Sequence, residues 1–298
     1  MYKDFKGVVV PMVTPVDAGG KIDCAAVDRI MQRFCTCGVA PLVMGTTGEG
    51  NSVSKEQAAI FVEQAAKSAA GRVKIYVGLS GCCTEEHIEA ANRYHKLGAD
   101  AIVATLPSYY TLTPGQMYAY YVRLAESITA PLMIYNITST THMSIPVEIV
   151  KRLSTHPNIV GLKDSERDEE RMYQCLGISK NNEKFAYFLG WAAKSAECVG
   201  AGGDGIVPST GNFVPEMFAD LYNAAAAGKM DEAIALQTAT DAIARIYQEG
   251  RTLGQSLAAL KVMMQTVGLC GPDMLSPLTH LTAAEEAEIV RRTAEINR

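Results

Sequence analysis

Lys163 closes an apolar run, Asn158-Ile159-Val160-Gly161-Leu162-Lys163-Asp164. A charged amine at the end of a buried strand costs free energy unless it is paired or neutral. Burial lowers an amine's pKa, and the neutral amine is a nucleophile toward carbonyls. Lys163 is therefore a candidate imine-forming residue. Imine chemistry moves protons at carbinolamine formation, at C–C bond making or breaking, and at hydrolysis. A tyrosine can carry them if other hydroxyls relay its proton. The chain offers such groups in Gly45-Thr46-Thr47-Gly48-Glu49-Gly50, Pro107-Ser108-Tyr109-Tyr110 and Tyr135-Asn136. The Gly-Thr-Thr-Gly turn brings backbone N–H groups and hydroxyls suited to a small carboxylate such as that of pyruvate.

Each of these residues also has a plainer reading. Lys163 could be a structural lysine paired with Asp164 or Glu49. Tyr135 could be a core residue, because tyrosine suits strands. Gly45–Gly50 could be only a tight turn, and Tyr109-Tyr110 packing aromatics. The chemical reading depends on whether the fold gathers them.

Eight short, near-continuous apolar runs alternate with amphipathic stretches: Gly7–Val10, Pro41–Gly45, Lys74–Leu79, Ala101–Leu106, Pro131–Asn136, Ile159–Asp164, Phe185–Gly190 and Gly205–Ser209. Such runs suit parallel strands buried on both faces. Helix starts are signalled by Ser54 with Gln57 three residues on, by Thr84 as N-cap, and by Thr113-Pro114; Gly98 marks a stop. The pattern predicts an α/β fold, a (β/α)₈ TIM barrel. A doubly wound sheet needs a glycine-rich phosphate turn that the run at 41–45 does not provide. Beyond Phe213 the pattern is helical only: Glu216–Ala227, Met230–Glu249, Ser256–Gly268 and Ala283–Arg298. We read 1–225 as the barrel carrying the active site and 226–298 as a C-terminal helical bundle. In such barrels the site lies at the C-terminal ends of the strands. That rule sends the hydroxyls, the phenols and the Lys163 amine to one rim.

The 298 residues carry a net charge of −5 with no basic stripe, which argues against nucleic acid. The first residues lack a signal-peptide core and no run approaches a membrane span, so a cytoplasmic protein with no membrane partner is expected. The eight cysteines form no Cys-x-x-Cys pair, and the five histidines show no ligand spacing. No metal is expected; the cysteines read as small apolar thiols in a reducing compartment.

The motifs Gly45-Thr46-Thr47-Gly48-Glu49, Tyr135-Asn136 and Gly161-Leu162-Lys163-Asp164, taken together at their spacing, resemble the dihydrodipicolinate synthase / N-acetylneuraminate lyase superfamily. The resemblance runs from about Phe5 to the C-terminus. It implies a barrel with C-terminal helices, usually assembled as a homotetramer, and a lysine–pyruvate imine with no metal or organic cofactor. It also implies Lys163 as the imine residue, Tyr135 as the acid/base, Thr46 as its proton relay, and Tyr109, reaching across a subunit interface, as the end of that relay. A one-residue slip would put Tyr110 there instead; the distance to Tyr135-Asn136 favours Tyr109. Thr47 and the turn amides about Gly48 would hold the keto-acid carboxylate, with Gly190 and Val207 lining the pocket.

The chain departs from the named subfamilies in two places. Dihydrodipicolinate synthases continue the tyrosine motif to an arginine that grips the aldehyde's carboxylate; Thr140 stands at that position. A threonine offers no bidentate cation, and losing such a contact in a desolvated site costs about 2–5 kcal/mol. Neuraminate lyases carry an acidic pair after the seventh strand, where this chain has Gly190-Trp191-Ala192-Ala193. Trp191 could wall an aldehyde pocket or simply pack in its loop. The hydroxyl-rich Thr138, Ser139, Thr140 and the nearby His142 suit a polyhydroxylated partner. The expectation is therefore a lyase acting on a 2-keto acid and an aldehyde, first a 2-keto-3-deoxy sugar acid aldolase. Dihydrodipicolinate synthase activity, an imine-using dehydratase and a non-catalytic pyruvate-binding paralogue are the alternatives.

Overall fold

A computed structural model describes residues 3–296. Eight parallel strands among them close into a barrel in sequence order, β1 to β8, with β8 pairing back to β1. They are β1 Gly7–Pro11, β2 Ala40–Val43, β3 Tyr76–Leu79, β4 Ala101–Thr105, β5 Leu132–Asn136, β6 Ile159–Asp164, β7 Ala186–Leu189 and β8 Gly205–Ile206. Between them run α1 Cys24–Cys37, α2 Lys55–Ala69, α3 Thr84–Lys96, α4 Pro114–Ser127, the short α5 Thr138–Thr141, α6 Val147–Leu153, α7 Glu169–Lys180 and α8 Ser195–Gly200. Helices α9 Pro215–Ala226, α10 Met230–Gln248, α11 Leu253–Thr266 and α12 Ala283–Ile296 follow. Helix α9 packs on β1 and α1, and α10 to α12 pack on α9, α8 and one another. The predicted α/β barrel with C-terminal helices is the observed architecture.

The strands are apolar on both faces because each face meets a separate core. Residues pointing outward, such as Val10, Val43, Ile102 and Leu162, pack under the helices with Phe34, Phe61 and Phe218. Burying one such side chain is worth about 1.5–3 kcal/mol. Residues pointing inward, including Phe5, Val9, Leu42, Tyr76, Val103, Met133, Tyr135 and Phe188, fill the barrel itself. Phe5, Tyr76 and Phe188 stack edge to face, with centroids 6.0 and 6.1 Å apart, and plug the barrel below the site. Gly205 leaves room for this plug, since a Cβ there would strike the Phe188 ring.

Several expected boundaries move, each for a local reason. Ser54 caps α2 by accepting from the Gln57 N–H at 3.3 Å, and Thr113 and Gln116 form the capping box of α4. Thr84 is not a cap: it is the first residue of α3, and Cys83 holds the cap position without a side-chain hydrogen bond. Helix α11 starts at Leu253 rather than Ser256, because Thr252 and Gln255 make a capping box upstream. β2 ends at Val43 because Met44 turns to φ 58°. β8 stops at Ile206: Pro208 has no N–H to give, and Ser209–Asn212 winds into a 3₁₀ turn. The last helix starts at Ala283 as expected, and the final two residues of its expected run, Asn297 and Arg298, lie outside the described residues. No helix among the described residues is long and apolar enough to cross a membrane.

Candidate active site

Strand register brings the central pair together. Tyr135 of β5 stands opposite Lys163 of β6, and Thr105 of β4 opposite Tyr135. Side chains alternate along a strand, so Gly161, Lys163 and Tyr135 share the inward face. Gly161 lets the barrel pack closely beside Lys163, since a Cβ there would lie 2.6 Å from the Ala186 carbonyl and 3.2 Å from the Met133 methyl.

Lys163 is 3% exposed, and its Nζ lies 3.7 Å from the centre of the Tyr135 ring. Neither carboxylate that could have made it a structural lysine is available. Asp164 is held by Arg171 of α7, at 2.7 Å from Nε, and also accepts from Asn136 Nδ2 and the Glu166 N–H. Glu49 is held by Lys261 of α11, at 2.5 Å. Among the described residues no carboxylate forms an ion pair with Lys163.

The phenol of Tyr135 is fully enclosed. Burial alone would raise its pKa. The Lys163 charge and the side chains of Ser165, Thr46 and Lys163 within hydrogen-bonding reach outweigh burial and hold it below the ordinary tyrosine value. Thr46 and Tyr135 border one small cavity together with Gly45, Ser80, Leu79 and Thr105.

The turn after β2 is tightly built. Thr47 is buried, and Gly48 cannot take a side chain: its Cβ would lie 2.8 Å from the Met12 carbonyl. The Gly48 carbonyl accepts a short hydrogen bond from the Thr14 hydroxyl. On the opposite wall Gly190 makes room for Ser165, whose Oγ a Cβ at 190 would overlap. Val207 belongs to the inner cluster with Tyr135, and its N–H bonds the Leu189 carbonyl at 2.8 Å. Thr140 is half-buried on the short α5, with Oγ1 3.5 Å from the Ile137 carbonyl. Lys163, Tyr135 and Thr46 are thus together, with Gly190 and Val207 in the surrounding walls.

Tyr109 is not with them. It is 78% exposed, stacked edge to face on the equally open Tyr110 at 4.9 Å, and away from the cavity. Within one chain it is not among the partners of the Tyr135 phenol, which are Lys163, Ser165 and Thr46.

Ser165 was not singled out from the sequence as a partner of Tyr135. It continues the inward row 161, 163, 165, and its N–H still bonds the Asn136 carbonyl at 2.9 Å, so pairing runs one residue past the end of β6. Strand alternation was the signal that could have found it. The cysteines are free. Cys175, Cys198 and Cys270 are buried, and burial pushes their thiols up to about 12, whereas Cys82 and Cys83 lie exposed before α3.

The family model described as dihydrodipicolinate synthetase family matches residues 4–296. The 4-hydroxy-tetrahydrodipicolinate synthase of Phenylobacterium zucineum is 32% identical over 288 residues, covering 96% of this chain and 95% of that one. The dihydrodipicolinate synthase of Bacteroides thetaiotaomicron superposes with a TM-score of 0.92 at 26% identity, over 99% of this chain and 100% of that one. The chloride-inhibited enzyme of Acinetobacter baumannii, solved with pyruvate, gives 0.88 at 25%, over 98% and 99%. A match along nearly the whole described chain, on a barrel whose buried lysine faces a tyrosine across adjacent strands, makes this chain a member of the dihydrodipicolinate synthetase family, a class I carbon–carbon lyase.

Proposed function

We propose that the chain binds pyruvate as an imine on Lys163 and joins it to an aldehyde, or releases an aldehyde from the condensed keto acid. The observation that carries this reading is a lysine buried inside the barrel with no ion-paired carboxylate and a tyrosine ring at 3.7 Å. The amine of Lys163 attacks the ketone carbon, and the oxygen leaves as water. Tyr135, its pKa held below the ordinary tyrosine value by the neighbouring charge, exchanges the protons of these steps. Thr46 passes them on, and Thr47 with the turn amides about Gly48 holds the keto-acid carboxylate. Gly190 and Val207 shape the wall. Tyr109 of a neighbouring subunit would complete the relay in a homotetramer, a role its exposure within one chain permits. No metal or organic cofactor enters this scheme.

For the aldehyde, the Phenylobacterium zucineum relative supports 4-hydroxy-tetrahydrodipicolinate synthase activity, for which the family resemblance implies aspartate semialdehyde as acceptor, and that activity is the first to assay. One residue favours a second reading. Thr140, standing where the resemblance to dihydrodipicolinate synthases implies an arginine, favours a polyhydroxylated partner and hence a 2-keto-3-deoxy sugar acid aldolase.

Borohydride reduction in the presence of pyruvate, followed by peptide mapping, tests the common core of both readings. The adduct is expected on Lys163 and absent from Lys163→Ala. An adduct that survives in Lys163→Ala, or a folded wild-type protein that forms none, overturns the imine and brings the non-catalytic binding protein forward.

A further inference from the structure

The turn proposed to hold the keto-acid carboxylate is braced from a distant part of the chain. Glu49 follows Gly48 directly, yet its side chain leaves the barrel and is completely buried. Oε1 lies 2.5 Å from Lys261 Nζ on α11, and Oε2 accepts the Leu275 N–H at 2.8 Å. Lys261 is itself 1% exposed, and its Nζ also donates to the Asp273 carbonyl at 2.6 Å. One ammonium thus ties together α11, the 273–275 segment and the turn after β2.

The turn it braces is strained. Met44 and Glu49 bracket it in the left-handed region, at φ 58° and 53°. A residue with a Cβ pays about 1–2 kcal/mol for that conformation. Such strain persists only where the surroundings over-determine the backbone, and it gathers at functional sites. The glycines close in from both sides: a Cβ on Gly50 or on Gly78 would overlap the Met44 carbonyl. A buried ion pair is rarely the most stabilising filling for such a space, since an apolar pair of equal volume does as well or better. What the charged pair offers is a fixed direction for the Glu49 backbone, and through it for Thr46, Thr47 and the amide of Gly48.

We propose that Lys261 is a positioning residue for keto-acid binding, acting through Glu49 on the carboxylate-holding turn. The C-terminal helices then take part in substrate affinity without touching substrate. This rests on the proposed role of the turn, and the test separates the two. The pyruvate concentration giving half-maximal borohydride adduct on Lys163 is measured for wild type, for Glu49→Gln/Lys261→Met, and for Lys3→Met/Asp204→Asn. The last removes another part-buried ion pair, at 3.0 Å, which lies before β1 and β8 at the opposite end of the barrel. The first double variant leaves no unpaired buried charge. Its half-saturating pyruvate is expected to rise about tenfold or more, equivalent to 1.4 kcal/mol, with the maximal adduct retained. The Lys3/Asp204 variant is expected to lower the thermal midpoint and leave half-saturation where it was.

A folded Glu49→Gln/Lys261→Met protein with wild-type half-saturation overturns the proposal, as does an equal rise in both double variants. If the first variant does not fold, Lys261→Arg carries the test. It keeps the charge but not the three-way geometry of a single ammonium, and a half-saturation unchanged from wild type overturns the proposal equally. Absence of any adduct in wild type is a different failure, that of the imine reading itself.

Discussion

At Tyr135 two opposed effects meet on one oxygen. Burial favours the neutral phenol; the Lys163 charge and its hydroxyl neighbours favour the phenolate and prevail. Taking the charge away should let burial win. In Lys163→Met the Tyr135 ionisation is expected to move from below to above the ordinary tyrosine value, followed by ultraviolet difference titration against Tyr135→Phe as the blank. An ionisation that stays low would mean that Thr46 and Ser165 alone set it. In the intact enzyme, Tyr135→Phe should slow turnover by about 10²–10⁴ while pyruvate still forms some imine. The alkaline limb of the wild-type pH–rate profile should fall below the usual tyrosine value, because a depressed pKa ionises the phenol earlier as pH rises, and that limb should vanish in the variant. Lys163, Tyr135 and Thr46 were legible in the sequence because each ends an apolar run and strand ends converge in a barrel. Glu49 was only an alternative partner for Lys163 in the sequence; its partner is Lys261, more than two hundred residues on, and no local pattern announces a pairing of that span.

At the scale of elements, register turns loose motifs into a site. The slip of one residue between Leu132 and Met133 in the β5–β6 pairing is what sets Tyr135 against Lys163. Behind that pair, Arg171 of α7 locks the end of β6 through Asp164 and also donates to the Ile145 carbonyl at 2.7 Å. Arg171→Met should leave a buried carboxylate without its cation and cost about 3–5 kcal/mol in denaturant unfolding. A much smaller loss would mean that Asp164 takes up a proton instead, and the loss would then shrink further at low pH. On the proposed reading, the loop after β5 decides the aldehyde. Thr140→Arg should raise kcat/KM for aspartate semialdehyde about tenfold or more if the missing guanidinium is what limits that acceptor; no gain would assign the exclusion to other walls. Apolar runs located all eight strands, but their ends drifted wherever backbone conformation rather than hydrophobicity decided, as at Met44 and Pro208.

The whole molecule was the easiest level to read. Eight alternations of an apolar run with an amphipathic stretch leave few architectures besides a closed parallel barrel, and the rim rule then placed the chemistry. The contribution of the C-terminal helices was not legible. Tyr247 of α10 reaches the Ser209 and Thr210 hydroxyls at 2.8 and 2.9 Å, and Lys261 reaches the β2 turn; both joins depend on three-dimensional neighbours that no spacing encodes. The stacked Phe5, Tyr76 and Phe188 at the foot of the barrel have a consequence for the order of events. A chamber stopped at its base has a single doorway, so the partner bound deepest must be first in and last out. On the imine reading proposed above, pyruvate on Lys163 is that partner. An aldehyde that arrives early blocks the doorway, so excess aldehyde should inhibit by competing with pyruvate, and in the cleavage direction the aldehyde should depart before pyruvate does. Inhibition by aldehyde that saturating pyruvate fails to relieve would reveal a second way in.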